Sequence, residues 1–249
     1  MAIRVKRPLL LVAVLLWGAL ANGVMAQEAA GHEEGGPENG LPYNVAEDKG
    51  SAQSPINILS SRAVTGSHQV ALQYRESGTH IANLGHTVEA IIDDGSLASF
   101  DGQDFTLQQI HFHTPSEHQV DGVTYPMEMH MVHTRNDEPD SYMVISVLFR
   151  EGGESPALED ILAAVPERAG ETRDLPGSSI NAEELLDFSG HYFHYEGSLT
   201  TPPYTETVTW LVMQDIHQAA PEQIQHINIL EGNNARHIQA LHARVVDAN

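Results

Sequence analysis

The sequence contains no cysteine and only two lysines, and its longest hydrophobic run covers 13 of the 249 residues. The absence of cysteine excludes disulfide bonds, and it predicts that no lipid is attached to a processed N-terminal cysteine. Stability must therefore come from the hydrophobic core and from any bound metal. The single hydrophobic run is shorter than the roughly 20 apolar residues that a membrane-spanning helix needs.

The N-terminal segment has the pattern of a secretory signal peptide. Three basic residues within the first seven positions precede the apolar run Leu9–Ala21, and small residues before Gln27 offer a cleavage site. The pattern predicts a signal peptide over residues 1–26 and a secreted protein, periplasmic or extracellular. Residues 27–40 are acidic and glycine-rich with little to bury, which predicts a flexible arm. Residues 41–249 then form one domain.

The balance of charge is strongly acidic. Without residues 1–26, nine basic residues stand against 34 acidic ones, a formal charge of −25. Such a surface repels phosphate backbones and anionic headgroups, so we expect no nucleic-acid partner and no membrane association after cleavage. The expected partner is a small-molecule substrate, and the protein is expected to be a monomer or a homodimer.

Short apolar runs of strand length dominate the domain. They are separated by Gly, Asp, Asn and Pro, and they predict strands at 70–74, 86–92, 127–133, 142–149 and 207–213. Helix-start signals are few: Ser155 before Pro156, Asn181 with Glu184 three residues later, and Pro221. The fold class is therefore mostly β (α+β), a single domain with a few short peripheral helices.

The stretch QIHFHTPSEH, residues 109–118, places two histidines one residue apart. Alternate side chains of a strand point to the same face, so His111 and His113 suit two ligands on one metal. If MEMHMVH (127–133) returns antiparallel beside this strand, His130 supplies a third ligand. Three histidines with a fourth position open to water are typical of catalytic rather than structural zinc sites.

Two further polar residues share the faces of these ligands. Gln109 precedes His111 by two positions and Glu128 precedes His130 by two. A metal-bound imidazole usually donates its other N–H to such a group, so both are predicted to orient ligands. His118 and His133 fall outside the three-ligand set and are assigned to structural hydrogen bonds.

Six sequence blocks in this order resemble the α-class carbonic anhydrases, in their bacterial secreted form but without the usual disulfide. The resemblance implies a central, largely antiparallel twisted sheet of about ten strands with zinc in a cone-shaped cavity. The blocks are QSPINI (53–58), GH (85–86), QIHFHTPSEH (109–118), EMHMVH (128–133), YEGSLTTPP (195–203) and NNARHIQALHAR (233–244).

The resemblance also implies an activity and residue roles. A Zn²⁺-bound hydroxide on His111, His113 and His130 would hydrate CO2 reversibly to bicarbonate and a proton. Thr200 would accept a hydrogen bond from that hydroxide and donate one to Glu117, while His86 would shuttle protons to solvent. The residues that match the apolar substrate pocket are Val132, Val144, Leu199, Thr201, Val208 and Trp210.

Three positions depart from the family pattern. Tyr204 follows Thr-Thr-Pro-Pro where extracellular members usually carry a cysteine, and Gly40 replaces an N-terminal tryptophan. Leu84 stands where a polar residue often orders cavity water. The last two departures bear on proton transfer more than on zinc binding.

Other functions fit parts of the same pattern. A cupin-type metal oxidoreductase would use His111, His113 and Glu117 as ligands, but residues 190–249 offer no second cupin block in register. A periplasmic zinc-binding or buffering protein that keeps this fold is suggested by the 15 histidines. An inactive relative would normally lack a ligand, and all three are present. His191 and His194 could form a surface metal site, but the expectation is that they are exposed loop histidines.

Overall fold

The structure, a computed structural model, describes residues 50–75, 79–93, 95–175 and 180–249. The predicted signal peptide (1–26), the predicted arm (27–40) and the first residues of the predicted domain lie outside these ranges.

Strands are the commonest regular structure of the described chain. They are β1 Asn57–Ile58, β2 Val64–Thr65, β3 Val70–Gln73, β4 Thr79–Asn83, β5 Val88–Ile92, β6 Leu97–Phe100, β7 Gln103–His113, β8 Gln119–Val120, β9 Val123–Thr124, β10 Met127–Arg135, β11 Tyr142–Glu151, β12 Glu171–Asp174, β13 Tyr192–Gly197, β14 Val208–Met213, β15 His217–Ala219 and β16 Asp247–Ala248. The helices are α1 Pro156–Ala164, α2 Ala182–Leu186 and α3 Pro221–Glu231, with a 3-10 turn at Ser60–Arg62.

A 13-stranded sheet forms the body of the protein. Its path runs β12-β4-β5-β7-β10-β11-β14-β13-β16-β2, with β3, β6 and β15 attached at the side, and β1, β8 and β9 form a separate small sheet. Most neighbours are antiparallel, whereas β11 runs parallel to β14. The predicted fold class is confirmed, and the sheet is somewhat larger than the ten strands expected.

The two faces of the sheet carry different side chains because strand residues alternate. On β10, Met127, Met129 and Met131 are fully buried in the larger apolar core together with residues of the three helices. Glu128 and His130 point to the opposite face, beside a second apolar cluster that contains Trp210. Polar chemistry is therefore concentrated on one face of the sheet.

The three predicted helix starts are confirmed, and each has a hydrogen-bonded first turn. The Ser155 hydroxyl accepts the Leu158 N–H at 3.4 Å, and Asn181 Oδ1 accepts the Glu183 N–H at 3.1 Å. Before α3, Gln223 Oε1 accepts the N–H of Ala220 at 3.1 Å. None of the helices in the described ranges has the length and apolar character needed to cross a membrane.

Candidate metal centre

Three imidazoles converge on the polar face of the sheet. Strands β7 and β10 are antiparallel, and their register places His111 directly opposite His130. His111 Nε2 lies 3.1 Å from His113 Nε2 and 3.2 Å from His130 Nδ1. These ligating atoms all lie within 4.8 Å of one another. The hairpin expected between the two strands is therefore present and joins the three histidines.

The spacing and protonation of these nitrogens suit a transition metal. Nitrogens about 2 Å from a tetrahedral zinc are separated by about 3.3 Å, close to the distances found here. Burial, reinforced by the charges of the neighbouring histidines, lowers the pKa of His111 well below its usual value and that of His113 to about 3. Burial also lowers the pKa of His130, against the opposing effect of Glu128. The imidazoles therefore stay neutral and keep lone pairs for a cation.

The outer ring nitrogens of two of these histidines are hydrogen-bonded. His111 Nδ1 lies 2.8 Å from Gln109 Oε1, and His130 Nε2 lies 2.7 Å from Glu128 Oε1. Because each outer nitrogen donates its proton to an oxygen, the inner nitrogen is the one with the free lone pair. Within the described part of the chain, His113 Nδ1 makes no hydrogen bond of ordinary geometry, although the nearby backbone of Asn234 favours the protonated form of His113.

Glu128 is the hub of a buried hydrogen-bond network. Besides His130, its carboxylate accepts the His118 backbone N–H at 2.8 Å, His118 Nδ1 at 2.7 Å and the Ser146 hydroxyl at 2.6 Å. Burial alone would raise its pKa, but electrostatic attraction to His118 and His130 and the hydrogen bonds from their ring N–H groups hold the pKa of Glu128 well below its usual range. The ionised carboxylate thus fixes the orientation of the His130 ring through its outer nitrogen, Nε2.

Two further buried histidines, His118 and His133, lie outside the three-nitrogen cluster. His118 Nε2 is 2.7 Å from the Tyr195 hydroxyl, and His133 contacts the Tyr74 hydroxyl at 2.7 Å and the Met143 carbonyl at 3.2 Å. Both rings therefore hold structural hydrogen bonds.

Replacing Gln109 with alanine is expected to weaken zinc binding by about 10- to 100-fold, because His111 loses the oxygen that sets its tautomer. Gln108→Ala is a matched control, because the side chain of Gln108 is also half-buried but donates to the Thr106 carbonyl at 3.2 Å. Zinc titration against a competing chelator measures both. Equal zinc affinities for the two variants would show that Gln109 does not orient the ligand.

Glu117 and Thr200 lie beside the cluster. Glu117 Oε1 accepts the backbone N–H of Arg236 at 2.9 Å, and Oε2 is 3.5 Å from His113 Nε2. Burial, and next the charge of Glu128, raise the pKa of Glu117 well above its usual value, while Arg236 and the Thr200 side chain act in the opposite direction. The turn after His113 therefore brings a buried carboxyl group between the cluster and the 198–203 segment.

An apolar wall borders the same face. Val144, Val208 and Trp210 are buried, with Val132 and Leu199 packed against them in one cluster. The Trp210 ring lies 4.9 Å from that of His130, and its indole N–H donates to the Ser198 carbonyl at 3.1 Å. Thr201 is exposed and lies outside this wall. Five of the six predicted pocket residues are thus brought together.

His86 is exposed in the turn between β4 and β5, with its Nδ1 3.1 Å from the Leu84 carbonyl. Asn234 links this turn to the ligand strand: its amide donates to the His86 carbonyl at 3.0 Å and to the Phe112 carbonyl at 3.2 Å, and its Oδ1 accepts the Thr114 N–H at 3.0 Å. Sequence reasoning gave Asn234 no role. Only its place in the Asn-Asn-Ala-Arg block could have singled it out.

Comparison with known proteins gives concordant matches. Residues 39–249 match the family described as eukaryotic-type carbonic anhydrase. The carbonic anhydrase of Pectobacterium carotovorum is 36% identical over 201 residues, 80% of each chain. That of Nostoc sp. is 36% identical over 79% of this chain and 75% of its own. The α-carbonic anhydrase of Thermovibrio ammonificans, solved with the inhibitor sulfanilamide, superposes with a TM-score of 0.76 at 37% identity, covering 80% of this chain and 87% of that one.

Proposed function

Since the chain belongs to the eukaryotic-type (α-class) carbonic anhydrase family, we propose that it is a secreted zinc enzyme that interconverts CO2 and bicarbonate. His111, His113 and His130 would hold the Zn²⁺. The observation that carries the proposal is the convergence of three imidazole nitrogens at 3.1 and 3.2 Å, with the outer nitrogens of His111 and His130 held by Gln109 and Glu128. Zinc lowers the pKa of a water ligand so that hydroxide is available near neutral pH, an effect for which carbonic anhydrases are themselves the standard example.

Thr200 would select the orientation of the attacking oxygen. A hydroxyl carries one proton, so a threonine that donates to Glu117 has only lone pairs to offer to a second partner. Its oxygen must then accept a hydrogen bond, which holds the attacking oxygen with a lone pair directed at the carbon of CO2. The influence of Thr200 on the pKa of Glu117 supports this pairing.

The charge state of Glu117 completes this arrangement. The Arg236 N–H donates to Oε1 at 2.9 Å, and a cation held by the three histidines would favour the ionised carboxylate over the neutral acid that burial favours. An ionised Glu117 can only accept, so it fixes the direction in which the Thr200 proton points.

The apolar wall suits the substrate. CO2 has no charge and is held by dry apolar surface more than by polar groups, and the cluster of Val132, Val144, Leu199, Val208 and Trp210 provides such a surface beside His130. The zinc-buffering alternative is not favoured, because a storage site needs neither this wall nor a Thr200–Glu117 pair.

His86 would carry protons from the site to solvent, since its imidazole is exposed and its turn is linked to the ligand strand through Asn234. We expect His86→Ala to lower kcat by about 10-fold or more while leaving kcat/KM nearly unchanged, and added imidazole buffer to restore kcat. His80→Ala on β4 is the control, as His80 is also exposed. A variant with unchanged kcat in dilute buffer would exclude His86 as the shuttle.

The function itself is tested by stopped-flow CO2 hydration with the protein of residues 27–249, its zinc content measured, beside a chelated sample. Rapid hydration that disappears with zinc and returns on its addition is the expected result. A fully zinc-loaded protein that is no faster than buffer would overturn the proposal.

A further inference from the structure

We call His111, His113 and His130 the catalytic cluster. A second group of side chains of the kind that bind metals lies outside it. His194 on β13, Asp247 on β16 and His68 in the loop before β3 have ligand atoms within 4.8 Å of one another. His194 is only 8% exposed and belongs to a strand, so its assignment to an exposed loop was wrong, whereas His191 is exposed as expected. We call His68, His194 and Asp247 the C-terminal cluster.

The inner atoms of the C-terminal cluster have metal-ligand spacing. Asp247 Oδ2 lies 2.9 Å from His194 Nδ1 and 3.4 Å from His68 Nε2. These separations resemble those of the catalytic cluster and are compatible with ligands about 2 Å from a common ion. The two imidazole rings meet edge to face at 4.4 Å, with His68 stacked on Phe100.

The outer ring nitrogens of both histidines face carboxylates. His68 Nδ1 lies 2.7 Å from Asp101 Oδ2, and His194 Nε2 lies 3.3 Å from Glu196 Oε1. A carboxylate behind each imidazole is the arrangement that fixes the tautomer of metal-bound histidines and raises their basicity. Asp101 is itself held by the Gln69 N–H at 2.8 Å, so its position does not depend on His68 alone.

The charge of the site favours a cation. Three carboxylates surround two imidazoles, so the group remains negative even when both imidazoles are protonated. Asp247 Oδ1 is buried and has no hydrogen-bond partner among the described residues, although a carboxylate oxygen in such a position normally has one.

We propose that the C-terminal cluster binds a second divalent transition-metal ion of the zinc class, which fastens β16 to β13 and to the loop before β3. Two imidazoles and one carboxylate suit Zn²⁺ and exclude hard cations such as Mg²⁺ and Ca²⁺, which select oxygen ligands. Water completes the coordination shell, because the side chains of His68 and Asp247 are 26% and 14% exposed.

The test is metal stoichiometry of the purified protein, stripped with a chelator and titrated with Zn²⁺. We expect two equivalents for the wild type and one for His68→Asn. Asparagine can still donate to Asp101 from the position of Nδ1, but it has no group at the position of Nε2. His80→Asn is the matched control, because His80 Nδ1 contacts Asp174 Oδ1 at 2.6 Å and His80 belongs to none of the ligand clusters found among the described residues. This variant should bind two equivalents.

Two further variants separate the sites. Asp247→Asn, which keeps the shape of the side chain, should also bind one equivalent, and the zinc-dependent rise in Tm should be smaller in both cluster variants than in the wild type. His113→Ala should retain one equivalent, which the added His68→Asn change removes. One equivalent in both the wild type and His68→Asn would overturn the second site and leave an ion-pair network. Failure of the catalytic site would instead appear as unchanged stoichiometry in His113→Ala.

Discussion

His113→Ala is expected to lose the catalytic zinc and to hydrate CO2 no faster than buffer. His113 is 4% exposed, and its Nε2 is 3.1 Å from His111 Nε2, so alanine leaves a two-nitrogen site that water fills. All of the proposed chemistry depends on hydroxide that the metal makes available, so no other single change should cost as much. Stopped-flow hydration and zinc analysis of the same sample measure the effect.

His133→Gln is the matched control for this change. His133 is also fully buried and adjacent to the ligand strand, but its contacts are Tyr74 and the Met143 carbonyl. We expect it to lower stability by about 1–3 kcal/mol while keeping zinc and activity. A His113→Ala protein that retained full activity would show that the metal is held elsewhere.

Thr200→Val is expected to lower kcat/KM by about 100-fold with zinc content unchanged. Valine matches threonine in shape but cannot accept a hydrogen bond from the attacking oxygen, and a preorganised hydrogen bond of this kind contributes roughly 100- to 1,000-fold. It also leaves Glu117 without the hydroxyl that acts on its pKa.

Thr200→Ser distinguishes the contribution of the hydroxyl to kcat/KM from that of the methyl group. Serine keeps the proton for Glu117 and the lone pairs for the attacking oxygen, so its kcat/KM should stay within a few-fold of wild type, measured in the same stopped-flow assay. If the valine and serine variants were equally slow, packing rather than hydrogen bonding at residue 200 would govern the rate.

The part of the site built from neighbouring strands could be predicted from sequence. Alternation alone places His111 with His113, and the short connection to β10 leaves an antiparallel hairpin as the simplest way to add His130. The helix starts at Ser155 and Asn181 were likewise predictable, because a capping side chain acts over only three residues.

Features that depend on distant segments could not be predicted in the same way. The parallel pairing of β11 with β14 joins residues about 66 positions apart and leaves no local pattern. Likewise, no local pattern indicates that His68 meets Asp247 in the C-terminal cluster. The register shift between Val132 and His133 is also not visible in the alternation of residues along the strand. Periodicity describes which face a residue occupies, but tertiary packing decides what it meets there.

The Asn234–Arg236 segment has a consequence for how the enzyme matures. Asn234 holds the Thr114 N–H, and Arg236 holds Glu117 through its backbone while its guanidinium donates to the Ser54 carbonyl at 2.6 Å. The metal-binding strand is thus completed by a segment that the ribosome makes more than a hundred residues later. A chain whose synthesis has not passed residue 236 therefore lacks the hydrogen bonds that hold Thr114 and Glu117 beside the three histidines.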